Sequence, residues 1–95
     1  MIMKEVPELD MAELLENEEI MAAYLSEIMA TGDSELIMSA IGDIARAKGI
    51  SAIAKEAGVN RESLYKAFRP GASPQFSTVL KIMAALKLNL QAVPA

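Results

Sequence analysis

Apolar residues recur at helical spacing along most of this chain, and the pattern predicts an almost entirely helical protein. The first long amphipathic segment follows Asn17 and runs to about Thr31, and the second follows Asp33 and runs to about Lys48. Asn17 and Asp33 are of the types that cap the start of a helix with a side-chain oxygen, and a glycine stands at each predicted end. The buried stripes are predicted to be Ile20, Met21, Tyr24, Leu25, Ile28 and Met29 in the first helix and Leu36, Ile37, Ala40, Ile41, Ile44 and Ala45 in the second.

Shorter helices are predicted towards the two ends of the chain. Val6 to Asp10 is a lead-in whose proline disfavours a helix, and Asp10 is expected to cap a short helix over 11–16. The turn-rich run 70–74, PGASP, precedes a last helix that is predicted from Phe76 to Leu86.

The segment 88–93, LNLQAV, alternates apolar and polar residues, which is typical of a β-strand. The rest of the chain offers this strand no partner. Its unpaired backbone groups are therefore expected to pair with a copy of the same strand or with another protein. A frayed tail without regular structure is the alternative interpretation.

The run 50–69, ISAIAKEAGVNRESLYKAFR, is the most informative part of the sequence. It predicts two short helices joined by a tight turn, the arrangement that lets a protein place its second helix in the major groove of DNA. Ser51 is expected to cap the first helix, and Gly58 can adopt the left-handed conformation that the turn requires.

The second helix of this run, predicted from Arg61 to Phe68, has two different faces. Asn60 is expected to cap it by accepting a hydrogen bond from the amide of Glu62 or Ser63. The residues predicted to face the core are Leu64, Ala67 and Phe68, and those predicted to point outward are Asn60, Arg61, Glu62, Tyr65, Lys66 and Arg69. An ordinary helical hairpin with a solvated face is the alternative.

Charge is distributed unevenly along the chain. The net charge is −4, but the first 35 residues carry ten acids and one base, whereas the remainder carries eight bases and three acids. A basic part joined to an acidic part indicates two surfaces with different partners. The alternative is that the acids only keep an apolar helical segment soluble.

Composition narrows the class of protein. The 95 residues suffice for one small domain, and a hydrophobic content of 53% argues against disorder of the whole chain. The absence of cysteine and histidine excludes thiol nucleophiles and the usual zinc sites, and removes the commonest general base. No apolar run approaches the roughly 20 residues of a membrane span, and no signal peptide is evident. We therefore expect a cytoplasmic protein that is not an enzyme and uses neither metal nor cofactor.

Four stretches in combination are similar to one known family: NEEIMAAYLSEIM, GDIARAKGIS, NRESLYKAF and PQFSTVLKIMAALKL. The run from Gly32 to Ala95 resembles the addiction-module antidote proteins, small Cro/C1-type helix-turn-helix antitoxins often found in prophage- and plasmid-derived operons. The resemblance implies an all-α, lambda repressor-like domain. We expect an acidic helical extension over 1–32, the DNA-binding domain over 33–87 and the strand or tail over 88–95.

Members of such families bind the operator of their own operon and neutralise a RelE/ParE-like toxin encoded beside them. The resemblance therefore implies a homodimeric antitoxin and transcriptional repressor whose partners are double-stranded DNA and a small basic toxin. Two alternatives stay open. One is a prophage-type DNA-binding regulator without a toxin, and the other is an acidic helical adaptor that binds only protein.

In the repressor interpretation, the second helix of the 50–69 run enters the major groove. Arg61 and Lys66 suit guanine edges or phosphates, and Asn60 suits adenine. Tyr65 is expected either to touch DNA or to be packed, and Glu62 either to accept from cytosine or to cap the helix. The predicted base-facing set is Asn60, Arg61, Glu62, Tyr65 and Lys66, and the predicted phosphate-binding set is Ser51, Arg69, Ser73, Gln75, Ser77 and Lys81.

Overall fold

A computed structural model describes residues 11–95 of the protein, with side chains from Leu14 onward. This part of the chain forms six helices and no strand, which confirms the predicted all-helical class. The predicted lead-in over 6–10 and the cap at Asp10 lie outside the described residues. The helices are α1 (Met11–Glu16), α2 (Glu18–Met29), α3 (Ser34–Lys48), α4 (Ile50–Ala57), α5 (Arg61–Ala67) and α6 (Phe76–Ala85).

The two long helices begin where their capping residues predict. The Asn17 side-chain oxygen accepts hydrogen bonds from the amides of Glu19 and Ile20 at 2.9 and 3.1 Å. Asp33 does the same for the second and third residues of α3. Each cap satisfies amides that have no partner inside the helix, which is why these starts are readable from the sequence.

The predicted cap at Ser51 is wrong, because α4 begins at Ile50 and Gly49 precedes it with no side-chain cap. Gly49 is both the C-cap of α3 and the N-cap of α4. Its amide donates to the Ala45 carbonyl of α3 at 2.9 Å, and its carbonyl accepts from Ile53 of α4 at 3.0 Å. A φ of 110° makes this abrupt change of direction possible, and glycine tolerates it. Ser51 is left exposed in the first turn of α4.

All six helices contribute to one hydrophobic core. Helix α2 packs against α3, and α4 packs against α3, α5 and α6, so α4 is the element that connects the two halves of the fold. The predicted stripe of α2 contributes three fully buried residues, Met21, Leu25 and Ile28, and Leu36 of the predicted α3 stripe lies exposed at its edge. The most deeply buried side chains are Leu14, Met21, Leu25, Ile28, Ile41, Ile44, Leu64, Ile82 and Leu86.

The predicted strand over 88–93 does not form. Instead, Lys87 adopts a left-handed φ of 67° and turns the chain back after α6. The amides of Lys87 and Leu88 donate to the carbonyls of Ala84 and Met83 at 2.9 and 3.0 Å, which is the Schellman pattern for ending a helix. Leu88 and Leu90 then pack against the core as half-buried residues. The alternation of LNLQAV therefore reflects burial on a helical surface and not pairing in a sheet.

Candidate nucleic-acid interface

Helices α4 and α5 are joined by a turn that Gly58 makes possible. Gly58 has the predicted left-handed conformation, with φ of 75° and ψ of 29°. Its amide donates to the Lys55 carbonyl at 3.2 Å, and the Val59 amide donates to the Ala54 carbonyl at 3.0 Å. This is the same Schellman pattern that ends α6. It directs the chain from α4 into α5 within three residues, with Val59 packed against the core.

Asn60 caps α5 as predicted. Its side-chain oxygen accepts from the Ser63 amide at 2.7 Å. An adenine contact of the two-bond kind needs both the oxygen and the amide group of an asparagine. In this conformation one lone pair of the oxygen is already in use, while the amide group of Asn60 is free to donate. The main structural effect of the Asn60 cap is to anchor the start of α5.

The inner face of α5 is the predicted one. Leu64, Ala67 and Phe68 are all buried, and Ala54 of α4, also buried, allows the two helices to approach closely. Because these contacts hold one side of α5 against the core, its remaining side chains have a defined direction.

A close contact between α3 and the end of α5 was not predicted from the sequence. A Cβ on Gly42 would lie 3.1 Å from the Cγ of Phe68, so the glycine lets the aromatic ring lie directly on α3. The guanidinium carbon of Arg46 lies 5.8 Å from the centre of the same ring, a cation–π arrangement. The sequence alone does not reveal that Gly42 admits the Phe68 ring, because a glycine inside a helical pattern indicates only a loss of helix propensity.

Asp43 connects this contact to α2. It forms an ion pair with Arg46 at 3.3 Å, and both side chains are about half exposed. Across the helix interface, burial and the negative charge of Asp43 both raise the pKa of the Tyr24 hydroxyl, burial having the larger effect. Arg46 is therefore positioned between an acid and the Phe68 ring.

The predicted base-facing residues lie together on the outward face of α5 or directly before it, and nearly all of this surface is polar. Asn60, Arg61, Glu62 and Lys66 are exposed, and Tyr65 is 45% exposed. Residues four apart are neighbours on a helix, so Arg61 lies beside Tyr65 and Glu62 beside Lys66. Glu62 is in the first turn, where the positive end of the helix dipole stabilises a carboxylate.

The predicted phosphate-binding residues lie on three different elements. Ser51 is on α4, whereas Ser77 and Lys81 are one turn apart on α6 and all three are exposed. Lys66 of α5 and Ser73 of the loop that precedes α6 line the same shallow cleft of about 240 Å³. Gln75 occupies the cap position of α6 but makes no capping hydrogen bond, so its side chain is free to bind elsewhere. Arg69 is exposed just beyond the end of α5.

The basic side chains on this surface form no ion pair with the described part of the chain. Where side chains are described, the single ion pair is Asp43–Arg46, so Arg61, Lys66, Arg69 and Lys81 have no carboxylate partner within 4.0 Å. The same part of the chain contains no cluster of acidic side chains suited to a metal ion. None of its helices has the length and apolar character that crossing a bilayer requires.

Comparison with known proteins gives one family and one close relative. A family model described as "Probable addiction module antidote protein" matches residues 5–94. A protein of Haemophilus influenzae described as "Uncharacterized protein" is 48% identical over 88 residues, and the match covers 93% of this chain and 91% of the relative. No solved structure matches the chain.

Proposed function

The chain belongs to the family of probable addiction module antidote proteins, and we propose that it is an antitoxin that also represses its own operon. An antidote implies a toxin as its partner, and the proposed toxin is a small basic protein of the RelE/ParE-like type. Helices α4 and α5 act as a Cro/C1-type helix-turn-helix in this proposal. The observation that carries the DNA-binding part is the exposed polar surface of α5, whose basic residues pair with no described carboxylate.

The proposed repressor reads operator DNA with α5. Arg61, at the start of the helix, reaches a base edge in the major groove, with Lys66 one further turn along. Lys81 and Ser77 bond the phosphates on one side, and Ser51 on α4 bonds those on the other, which positions the helix without reading sequence. Basic side chains that bind phosphates displace counterions from the DNA, and because this release is less favourable at high salt, the affinity falls as salt rises.

A second copy of the chain is needed to read a two-fold operator, whose half-sites lie about 34 Å apart. The two copies need a surface through which they contact each other. The last helix offers one: Phe76 is 67% exposed and Leu80 is 43% exposed, and they lie one turn apart on the same face. This α6 pair adjoins Ser77 and Lys81, so a dimer formed there places both copies of the DNA surface on one assembly.

The dimer surface has a direct test. Leu80→Glu should shift the protein towards monomer in sedimentation, because a two-fold contact would bring the new charge next to its own copy. Ala23→Glu, which adds the same charge on the exposed side of α2, should leave the oligomeric state unchanged. A Leu80→Glu protein that sediments like the parent would place the interface elsewhere.

Operator binding is tested with DNA from immediately upstream of the protein's own gene and with a scrambled duplex of equal length. The proposal expects tighter binding to the upstream DNA and a linear loss of log affinity with log salt. Equal binding to both duplexes, or none, would contradict repression and favour the protein-only adaptor.

The antidote role is tested by expressing the small reading frame beside this gene with and without the chain. Growth arrest that the chain relieves, together with co-purification of the two proteins, is the expected result. DNA binding without a neighbouring toxin would instead favour the prophage-type regulator.

A further inference from the structure

An apolar groove of about 470 Å³ separates α2 from the tail that follows α6. Its floor contains Leu25 and Met29 of α2 and Met83 of α6, and the tail contributes Leu88 and Leu90 from the opposite side. All five of these residues are buried or half-buried members of the core region, yet the groove itself is open to solvent. Its volume is in the range of ordinary ligand sites.

The α2 wall of the groove is low because its residues are small. Ala22, Ser26 and Ala30 follow one another at four-residue spacing and form a ridge that lets another chain approach the helix closely. Glu18 and Glu19 precede this ridge by one turn and are exposed. They do not line the groove, but they make the start of α2, which forms one wall of it, acidic.

The tail wall presents unused backbone groups. Residues 89–93 form no backbone hydrogen bond within the described part of the chain, although Leu88 and Leu90 hold this segment against the core. An extended segment with free donors and acceptors beside an apolar groove is the arrangement that accepts an added strand.

We propose that this groove binds an extended segment of the toxin, which pairs with the backbone of 89–93 and places apolar side chains over Leu25 and Met29. A basic residue of the same segment meets Glu18 and Glu19. The inference rests on the proposed antidote function. Charge complementarity supports this occupant, because Glu18 and Glu19 are exposed at the start of α2 and that helix carries no basic residue.

A second copy of this chain fits the groove less well. A two-fold contact uses the same patch of each copy, so it would place Glu18 and Glu19 of both copies near one interface, where like charges repel. The α6 pair offers the second copy an apolar contact without that repulsion. The two surfaces thus suit different partners, and toxin binding at the groove leaves α5 free for DNA.

The decisive experiment measures affinity for the purified product of the neighbouring toxin frame. Ser26→Phe fills the groove and should weaken binding at least about tenfold. Ala23→Phe places the same ring on the exposed side of α2 that does not line the groove, and should change affinity less than about twofold. Melting temperature and operator affinity should stay close to those of the parent for both variants.

Two further measurements test the charge and the strand. The double variant Glu18→Gln/Glu19→Gln should weaken binding several-fold at low salt and lose this difference at high salt, whereas Glu27→Gln should not. Amides of 89–93 should gain protection from hydrogen exchange when the toxin binds.

The possible failures are distinguishable. If the toxin binds and Ser26→Phe binds equally well, or if amides 89–93 stay unprotected, the groove is not the toxin site and the antidote function stands. If the toxin does not bind the unmodified chain at all, the proposed function itself fails.

Discussion

The Phe68 ring lies so close to Gly42 that a Cβ at position 42 would be 3.1 Å from the Cγ of Phe68. This contact fixes the end of α5 against α3, two elements separated by a turn, a helix and a second turn in the chain. The position of the candidate DNA surface thus depends on a glycine in the middle of a different helix.

We expect Gly42→Ala to lower the free energy of unfolding, although alanine is favoured over glycine in a helix by about 1 kcal/mol. The added methyl group meets Phe68, which is buried and cannot move without displacing α5, whereas the Arg46 tip 3.3 Å away can shift. Urea unfolding measures the difference. Ala23→Gly, at an exposed position inside α2, calibrates helix propensity and should cost about 1 kcal/mol. If Gly42→Ala raised the free energy of unfolding by as much as Ala23→Gly lowers it, the contact between position 42 and Phe68 would be loose.

Gly58→Val should cost about 1–2 kcal/mol of stability and reduce operator affinity. Nothing lies within 4 Å of a Cβ built on Gly58, so the cost arises from the left-handed backbone and not from a clash. Gly58→Asn is the control, because asparagine tolerates this conformation better. Equal melting temperatures for the valine and asparagine variants would show that the turn relaxes without strain.

Lys87→Gly should stabilise the protein by up to about 1 kcal/mol. Lys87 has a positive φ of 67°, close to the 75° of Gly58, but carries a Cβ. Lys87→Ala removes the charge and keeps the strain, and should leave stability nearly unchanged. Thermal unfolding of the two variants separates the backbone contribution from that of the side chain.

Arg61→Ala should cost roughly 1–3 kcal/mol at the cognate operator and relax base preference. Lys81→Ala should weaken binding to all sequences alike and reduce the salt slope by about one phosphate contact. Titrations on cognate and random duplexes at several salt concentrations give both quantities. If both variants lose cognate and random binding equally, Arg61 is not a base reader.

Stability should fall as the pH rises above 10, in part because of Tyr24. Burial and Asp43 raise the pKa of this hydroxyl in the folded state, so the folded chain holds its proton more tightly than the unfolded chain. The resulting stabilisation is present below the ordinary pKa and lost as the pH rises through the raised one. Tyr24→Phe should flatten this loss in urea unfolding between pH 8 and 11. Asp43→Asn should flatten it less, because burial is the larger cause. A parallel loss in all three proteins would assign the effect to other groups.

The candidate DNA surface was partly readable from the sequence. Helical periodicity alone predicts that Leu64 and Phe68 point inward and that Arg61 and Lys66 point outward, and the structure agrees. The cleft that Lys66 and Ser73 both line depends on the path of the 70–74 loop, which periodicity does not describe.

Local features of this protein follow directly from its residue types. The caps at Asn17, Asp33 and Asn60 and the left-handed turn at Gly58 each involve backbone groups within a few residues, so residue type suffices to place them. The cap of α4 was misplaced by two residues, at Ser51 and not at Gly49, because Gly49 also ends α3 and a cap preference considers one helix at a time.

Tertiary structure decided the remainder. Alternation in LNLQAV predicts which side chains are buried but not which surface buries them. In the folded protein, Leu88 and Leu90 pack against the helical core near Met83 and not against a second strand. The role of Gly42 could not be predicted from its neighbours in the sequence either, because it depends on the Phe68 ring, which lies 26 positions away. Burial and close contact are properties of surfaces that meet only after folding, whereas capping and turn preferences act within one or two turns of chain.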